Sequence, residues 1–261
     1  MSKNKPSILY FDLETTPLKA WVWGCGEQYI RHGQLDKNFN MWGIICVTYC
    51  WNDGKPAKHI DYGYEEQDTG KLVAEFDEII KQADHIIGKN NKRFDDKMLN
   101  SLRMLNDLPP MPGWCNNNDD LEKQMRRHFR LPSHALDYIS HKIGLGGKIK
   151  MEMQDWIDIV EKNENGLKSF NKMIKYGKKD VEDTRKLWDY LEKYVEPRFK
   201  ANVFVGDVHA CTKCAGTNII KYGTGMQAST KMQKWYCQDC GKVSYSTWTA
   251  DEAKAAKARL R

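Results

Sequence analysis

The chain has 261 residues, 41% of them hydrophobic and 29% charged, which excludes global disorder and allows one or two domains. The net charge of +6 is uneven. Residues 206–261 carry nine basic and four acidic side chains, so the basic excess sits in the tail and suits either a polyanion contact, nucleic acid first among them, or a merely solvated tail. The longest apolar run, residues 42–51, is half the roughly 20 residues that a bilayer requires. Residues 1–7 are polar and no secretory apolar segment follows them, so the expectation is a cytosolic protein without a membrane span.

Residues 7–13 form a short β-type apolar run ended by Glu14, Thr15, Thr16 and Pro17, which reads as a buried first strand. Residues 42–51 read as a second strand, 52–56 as a turn and 57–62 as a strand pairing back. Helical spacing of Leu72, Val73, Phe76, Ile79 and Ile80 predicts a helix over 71–82. A short strand at 83–88 and a helix at 94–105 follow. Further helices are expected at 121–129, 135–143, 154–160 and 167–194, the last stopped near Pro197. Strands first, then strand and helix in alternation, make a mixed α/β body up to about residue 200. Thr249 and Glu252 form a capping-box pattern that opens a terminal helix.

Asp12 and Glu14 lie two apart on the first strand, so their side chains share a face. Two acids in an apolar strand are costly without a cation beside them, and hard divalent ions prefer carboxylate oxygen; the alternative is that the strand has reached its exposed end. Asp95 falls at a helix start just past the carboxyl end of a strand, where open α/β sheets bind ligands, although an ordinary N-cap acid would look the same and Asp96 competes for either role. Tyr176 and Asp180, at i and i+4, project together from a helix, although a surface tyrosine and a solvated aspartate would look the same.

The ordered set Phe11-Asp12-Leu13-Glu14-Thr15, then Asn90 with Phe94-Asp95, then Tyr176 with Asp180-Val181, resembles the three exonuclease motifs of the DEDD superfamily. It matches the tyrosine-bearing (DEDDy) branch of these RNase H-like 3′→5′ exonucleases, which includes the proofreading domains of family B DNA polymerases. The resemblance covers most of residues 7–195. It implies an RNase H-like mixed sheet with flanking helices over residues 1–200 and a metal-dependent hydrolase of phosphodiester bonds, in DNA or RNA, acting on single-stranded 3′ ends. It implies two Mg²⁺ or Mn²⁺ ions, with Asp12 bridging them, Glu14 and Asp180 completing the first site and Asp95 holding the second. Tyr176 would orient the attacking water; an ordinary phenol, titrating near 10, is a poor base at neutral pH, so most activation falls to the metal. Family members often carry His before the Asn of the second motif. Here it is Lys89, which either meets substrate phosphate with Asn90 or stays solvated. Residues 201–261 are too few for a polymerase domain, so the expectation is a stand-alone enzyme like those of phages, working in the host cytoplasm if phage-encoded.

Two other features bear on substrate. Trp21, Trp23 and Tyr29 follow the first motif and either line the groove or pack the core. Lys142, Lys148 and Lys150 surround the glycine-rich residues 144–147, a basic loop with possible phosphate contact and without phosphate-loop spacing.

Cys211-x-x-Cys214 and Cys237-x-x-Cys240, separated by 22 residues, have the pattern of a Cys₄ zinc ribbon spanning residues 206–261 and holding one structural Zn²⁺, with Gly216 and Gly241 at the knuckle turns. Lys234 and Trp235, with Lys213, Lys221, Lys231 and Tyr236, interleave cations and rings as a nucleic-acid grip does; docking of a protein partner is the rival use. Two other functions stay open: an RNase H-like structure-specific endonuclease, and a non-catalytic nucleic-acid-binding module.

Overall fold

The computed structural model describes residues 6–38, 41–113, 115, 118–147, 149–195, 198–206, 209–227 and 230–246. The chain divides into two compact units, Ile8–Tyr190 and Leu191–Arg261, the latter joined by Met1–Ser7. The terminal helix expected from residue 249 and the basic residue Lys148 lie outside the described residues. Among the described residues no helix is long and apolar enough to cross a membrane.

The first unit is a five-stranded mixed sheet in the order β3-β2-β1-β4-β5, formed by β1 (Ile8–Thr15), β2 (Ile44–Trp51), β3 (Lys58–Asp61), β4 (His85–Gly88) and β5 (Asp119–Asp120). β2 runs antiparallel to β1 and β3, whereas β4 is parallel to β1 and β5 parallel to β4. β1 is central because both its faces are covered, and its near-continuous apolar run satisfies both. It runs two residues further than its turn-like Glu14-Thr15 ending suggests, because pairing with β2 continues to Thr15 across a bulge after Glu14. β2 begins at Ile44 rather than Trp42. Thr16 and Gly43 close the end of the β1–β2 pair, with Thr16 N–H donating to Gly43 O (2.9 Å) and Gly43 N–H to Thr16 Oγ1 (2.7 Å).

One face of the sheet carries α1 (Thr69–Ile80) and α2 (Asp95–Leu105). α1 is capped by the Asp68 carboxylate, which accepts from Lys71 N–H, and buries Leu72, Val73, Phe76 and Ile80. Leu9, Phe11 and Leu13 of β1 point to this side, where Phe11 meets Phe76 edge to face at 5.1 Å. Buried Arg103 of α2 clasps Asp77 of α1 (Nη1 to Oδ2, 2.8 Å), tying the two helices together. The other elements are α3 (Leu121–His128), α4 (Leu136–Lys142), α5 (Met153–Glu161) and the 26-residue α6 (Gly166–Leu191). β5 has no apolar signature: Asp119 bonds His85 Nε2 (2.9 Å) and accepts from Gln124, while Asp120 caps α3 by accepting from Glu122 and Lys123 N–H.

In the second unit β6 (Ile219–Gln227), β7 (Thr230–Cys237) and β8 (Val243–Ser246) form an antiparallel meander after a short α7 (Ala201–Phe204). Among its described residues the buried apolar side chains are few, chiefly Val195, Ala201, Ala210, Cys211, Met232 and Cys237. So small a core is weak support for a fold unless a cross-link or metal adds to it.

Candidate functional site

Alternation along β1 decides where its acids face. Leu9, Phe11 and Leu13 enter the core under α1, so Tyr10, Asp12 and Glu14 emerge on the opposite face. Directly across on β2 stand Cys50, Thr48 and Cys46. The Cys46 thiol is pushed well above its ordinary value, by burial first and then by the charges of Glu14 and Asp12, as expected of groups sharing one face. α6 covers this face. At Gly177 the backbone lies so near β2 that a Cβ would stand 2.8 Å from Thr48 Cγ2, and one turn later Cys50 Sγ contacts Val181 O at 3.8 Å. Thr48 is the cross-strand partner of Asp12. On this helix half-buried Tyr176 precedes Gly177, and buried Asp180 lies one turn beyond Tyr176.

Asp95 reaches the same place from the other side. β4 pairs with β1 only as far as Tyr10, so beyond it that edge of β1 lacks a strand partner. The Asp95 carboxylate fills the gap, accepting from Leu13 N–H at 3.2 Å. Asp95 is buried, and burial together with the charge of Asp12 raises its carboxyl well above the usual range, opposed by its backbone hydrogen bonds. Asp96 turns away to accept from Asn118 Nδ2 at 2.8 Å, so of the two acids at the start of α2 it is Asp95 that meets β1.

Asp12 and Glu14 thus share one face near the carboxyl end of β1, Asp95 reaches the backbone of Leu13 between them, and Tyr176 and Asp180 belong to the helix that approaches the Asp12 partner Thr48. Asp12, Glu14, Asp95 and Asp180 supply only hard oxygen donors, a set that fits a divalent cation, and such a charge would offset the repulsion expressed at Asp95. No three of the described carboxylates are as tightly gathered as the cysteines below.

Other expected contacts are distributed differently. Lys89 is partly buried, and its Nζ pairs with Glu122 at 3.4 Å. Asn90 adopts a left-handed φ of 62° and donates its N–H to Asp120 (3.1 Å), making it a turn residue of the β4–α2 loop. Lys150 is exposed beyond the loop in which Gly144 and Gly146 take positive φ. Of the lysines that share α6 with Tyr176, Lys178 lies near enough to His59 to lower its pKa after burial has done so, and Lys179 pairs with Asp183 at 2.7 Å. Trp21, Trp23 and Tyr29 do not pack the core; they are 69%, 103% and 88% exposed. Thr48 and Gly177, which set the approach of α6, are additions that the motifs did not signal. A glycine inside a long helix was the one visible hint.

In the second unit Cys211, Cys214, Cys237 and Cys240 bring their sulfur atoms within 4.8 Å of one another. Cys211 and Cys240 are 3.7 Å apart, Cys214 and Cys237 3.6 Å. Lys213 N–H and Gly216 N–H donate to the sulfurs of Cys211 and Cys214, both at 3.4 Å. Burial drives Cys214 up and Cys240 to about 11; Cys237 is drawn down, because N–H groups of Cys240 and Asp239 outweigh its burial. Four soft donors at this spacing could hold one zinc ion, and N–H···S bonds hold the thiolates in place. The left-handed residue of the second knuckle is Gly241 (φ 74°), as expected. In the first it is Ala215 (φ 57°), while Gly216 lies close under the Asp239 carboxylate, which a Cβ there would push aside. Lys234 and Trp235 lie half-buried on β7, Lys234 against Gly225 and Trp235 paired with Lys221 and Ser244.

No family model matches this chain, and no curated protein matches it either. Among solved structures it is similar to the family B DNA polymerase from the hyperthermophilic archaeon Pyrobaculum calidifontis, with a TM-score of 0.55 at 13% identity. The match covers 86% of this chain and 31% of that polymerase, a likeness of fold.

Proposed function

We propose that the chain is a metal-dependent 3′→5′ exonuclease of the tyrosine-bearing DEDD type. The observation that supports this reading is the close approach of α6, the helix bearing Tyr176 and Asp180, to Thr48, the cross-strand partner of Asp12, together with the bond from Leu13 N–H to Asp95. The fold likeness to a family B polymerase supports it.

In this reading Asp12, Glu14, Asp95 and Asp180 hold two Mg²⁺ or Mn²⁺ ions. When bound, these lower the pKa of an attacking water and neutralise the charge that develops on the phosphate. The protein's own contribution is placement. Asp12 stands on a central strand, paired with Thr48 of β2 on one side and two residues beyond the end of the β4 pairing on the other. Asp95 is held by Leu13 N–H, and the Tyr176 hydroxyl orients the water by hydrogen bonding from a helix with no freedom to approach further. The Cys₄ unit, loaded with zinc, serves as a basic handle for the nucleic acid, with Lys234 and Trp235 among its contacts; a protein partner is its alternative occupant.

The test is digestion of 3′- and 5′-labelled DNA and RNA oligomers with Mg²⁺ or Mn²⁺. A 3′ label released at once as mononucleotide is expected, with Asp12→Ala inactive and Tyr176→Phe slowed by roughly 10²-fold, a typical worth for one positioned acid–base group. Internal cuts, or Asp12→Ala turnover within tenfold of the parent, would overturn the assignment.

A further inference from the structure

The loop between β1 and β2 leaves the sheet at the acid-bearing end and is built as a fixed stalk with an aromatic tip. Its base is the Thr16–Gly43 pair. Above it Asp36 N–H donates to Lys19 O and Trp21 N–H to Gln34 O, both at 2.8 Å, around an antiparallel bridge between Ala20 and Leu35. Lys19 is tied to Glu161 of α5 at 2.8 Å. Beyond this neck, Trp21, Trp23 and Tyr29 stand in solvent, three large rings within nine residues. A cost of that kind, paid on a braced support, marks a binding surface. At the foot of the stalk is an apolar cleft of about 260 Å³, walled by Pro17 and Leu18 on one side and Met153, Ile157 and Val160 on the other. That is below the roughly 300–1,000 Å³ of sites for drug-sized ligands and suits one planar ring.

We propose that this loop is the single-strand grip of the site: Trp21, Trp23 and Tyr29 stack on unpaired bases, and the cleft at its foot receives one base. The proposal rests on the nuclease reading of the neighbouring carboxylates. Nucleic acid is favoured over a protein or lipid surface on three grounds. The exposed large side chains of the loop are flat rings at Trp21, Trp23, Tyr29 and Trp42, more exposed in the first three than the aliphatic Val22, Ile30 and Met41, and aromatic faces stack on any base. Arg31 and Lys37 match Glu27 and Asp36 along the loop, and Lys19 is held by Glu161, so these side chains add no net negative charge to repel a phosphate backbone. Six residues separate Glu14 from Trp21, a span of seven steps, so the backbone of the first ring lies within about 25 Å of that of Glu14. At about 3.4 Å per stacked base, that is a reach of no more than about seven nucleotides.

The experiment uses full-length protein carrying Trp21→Ala, Trp23→Ala and Tyr29→Ala together, and the matching triple replacement by Phe. Affinity for ten-nucleotide oligo(dT) and for a ten-base-pair blunt duplex is measured by anisotropy in the Asp12→Ala background. Turnover of oligo(dT) and of the p-nitrophenyl ester of thymidine 5′-phosphate is measured in the active background. The alanine triple should weaken oligo(dT) binding by about 30-fold or more, the phenylalanine triple should hold within about fivefold, and duplex binding should move least. The loss of turnover on oligo(dT) should exceed that on the ester by at least tenfold. Equal oligo(dT) affinity in parent and alanine triple, or equal losses on oligomer and ester, would overturn the grip. If the parent cleaves neither substrate, the nuclease reading fails, and the binding comparison still decides the grip by itself.

Discussion

Replacing Gly177 by alanine places a methyl group 2.8 Å from Thr48 Cγ2, 3.0 Å from its Oγ1 and 3.4 Å from its Cβ. Carbon atoms pack best at about 3.5–4.0 Å, so α6 or β2 must yield by roughly 0.7–1.2 Å. Thr48 gives little: it is buried, it sits in a strand paired on both sides, and a β-branched side chain has few rotamers to move to. Two stability terms oppose each other. Alanine in a helix interior gains about 1 kcal/mol over glycine, and overpacking costs about 1–3 kcal/mol. The expected net loss is therefore between about 0 and 2 kcal/mol, read as a modest fall in urea midpoint. Activity should suffer more, because the displaced helix carries Tyr176 and Asp180, and a shift of about 1 Å in a positioned group can cost about 10²-fold. Thr48→Ala removes both clashing atoms and a hydroxyl that is buried without a hydrogen-bond partner. The double variant should recover most of the stability and turnover, a coupling that a double-mutant cycle measures directly. A Gly177→Ala protein as active and stable as its parent, or a double variant no better than the single, would refute the close-approach argument.

Two further outcomes follow from the same geometry. Asp95 binds its proton more tightly folded than unfolded, where an aspartate titrates near 3.9. Without added Mg²⁺ or Mn²⁺, stability should therefore fall as pH rises from about 4 through the raised folded value. Asp95→Asn, whose amide oxygen still accepts from Leu13 N–H, should remove that slope and melt higher at pH 7, and parallel melting curves for the two proteins would count against the burial argument. In the second unit, titration with a chelating dye should release one zinc per chain together with four thiols. Exposed Cys25 should react before release, and Cys50 and Cys115, pushed by burial up to about 12, should stay silent with Cys46 until the protein unfolds. Cys237→Ser should abolish zinc retention, and a zinc-free native protein would contradict the ribbon.

Legibility in the sequence followed the range of the forces involved. α1 and α2 were readable because their apolar residues recur at helical spacing, and the paired cysteines because a knuckle is a local structure. The shared face of Asp12 and Glu14 followed from strand alternation alone. β5 was invisible: two aspartates carry no strand signal, and their pairing with Ile87 and Gly88 exists only once α2 has folded back. The end of β1 was misjudged because Glu14-Thr15-Thr16-Pro17 looks like a turn, while the strand's extent is set by its partner. The close approach of Gly177 to Thr48 joins residues 129 positions apart, and the solvent exposure of Trp23 runs against its own hydrophobicity. Neither is a property of a local window.

The sheet's two margins bear on how the protein behaves when crowded. An unpaired strand margin is a template onto which another chain can add, and long flat apolar margins drive polymerisation. Here one margin is four residues long and opens on exposed Lys58. The other is two residues long, and both are aspartates whose carboxylates are engaged within the domain, Asp119 by His85 and Asp120 by the first turn of α3. A foreign strand arriving there finds too few N–H and C=O groups to register on and two buried acids beneath it. The apolar strands β1, β2 and β4 thus stay enclosed between short, charged borders, and copies of the domain are kept from zipping together side by side.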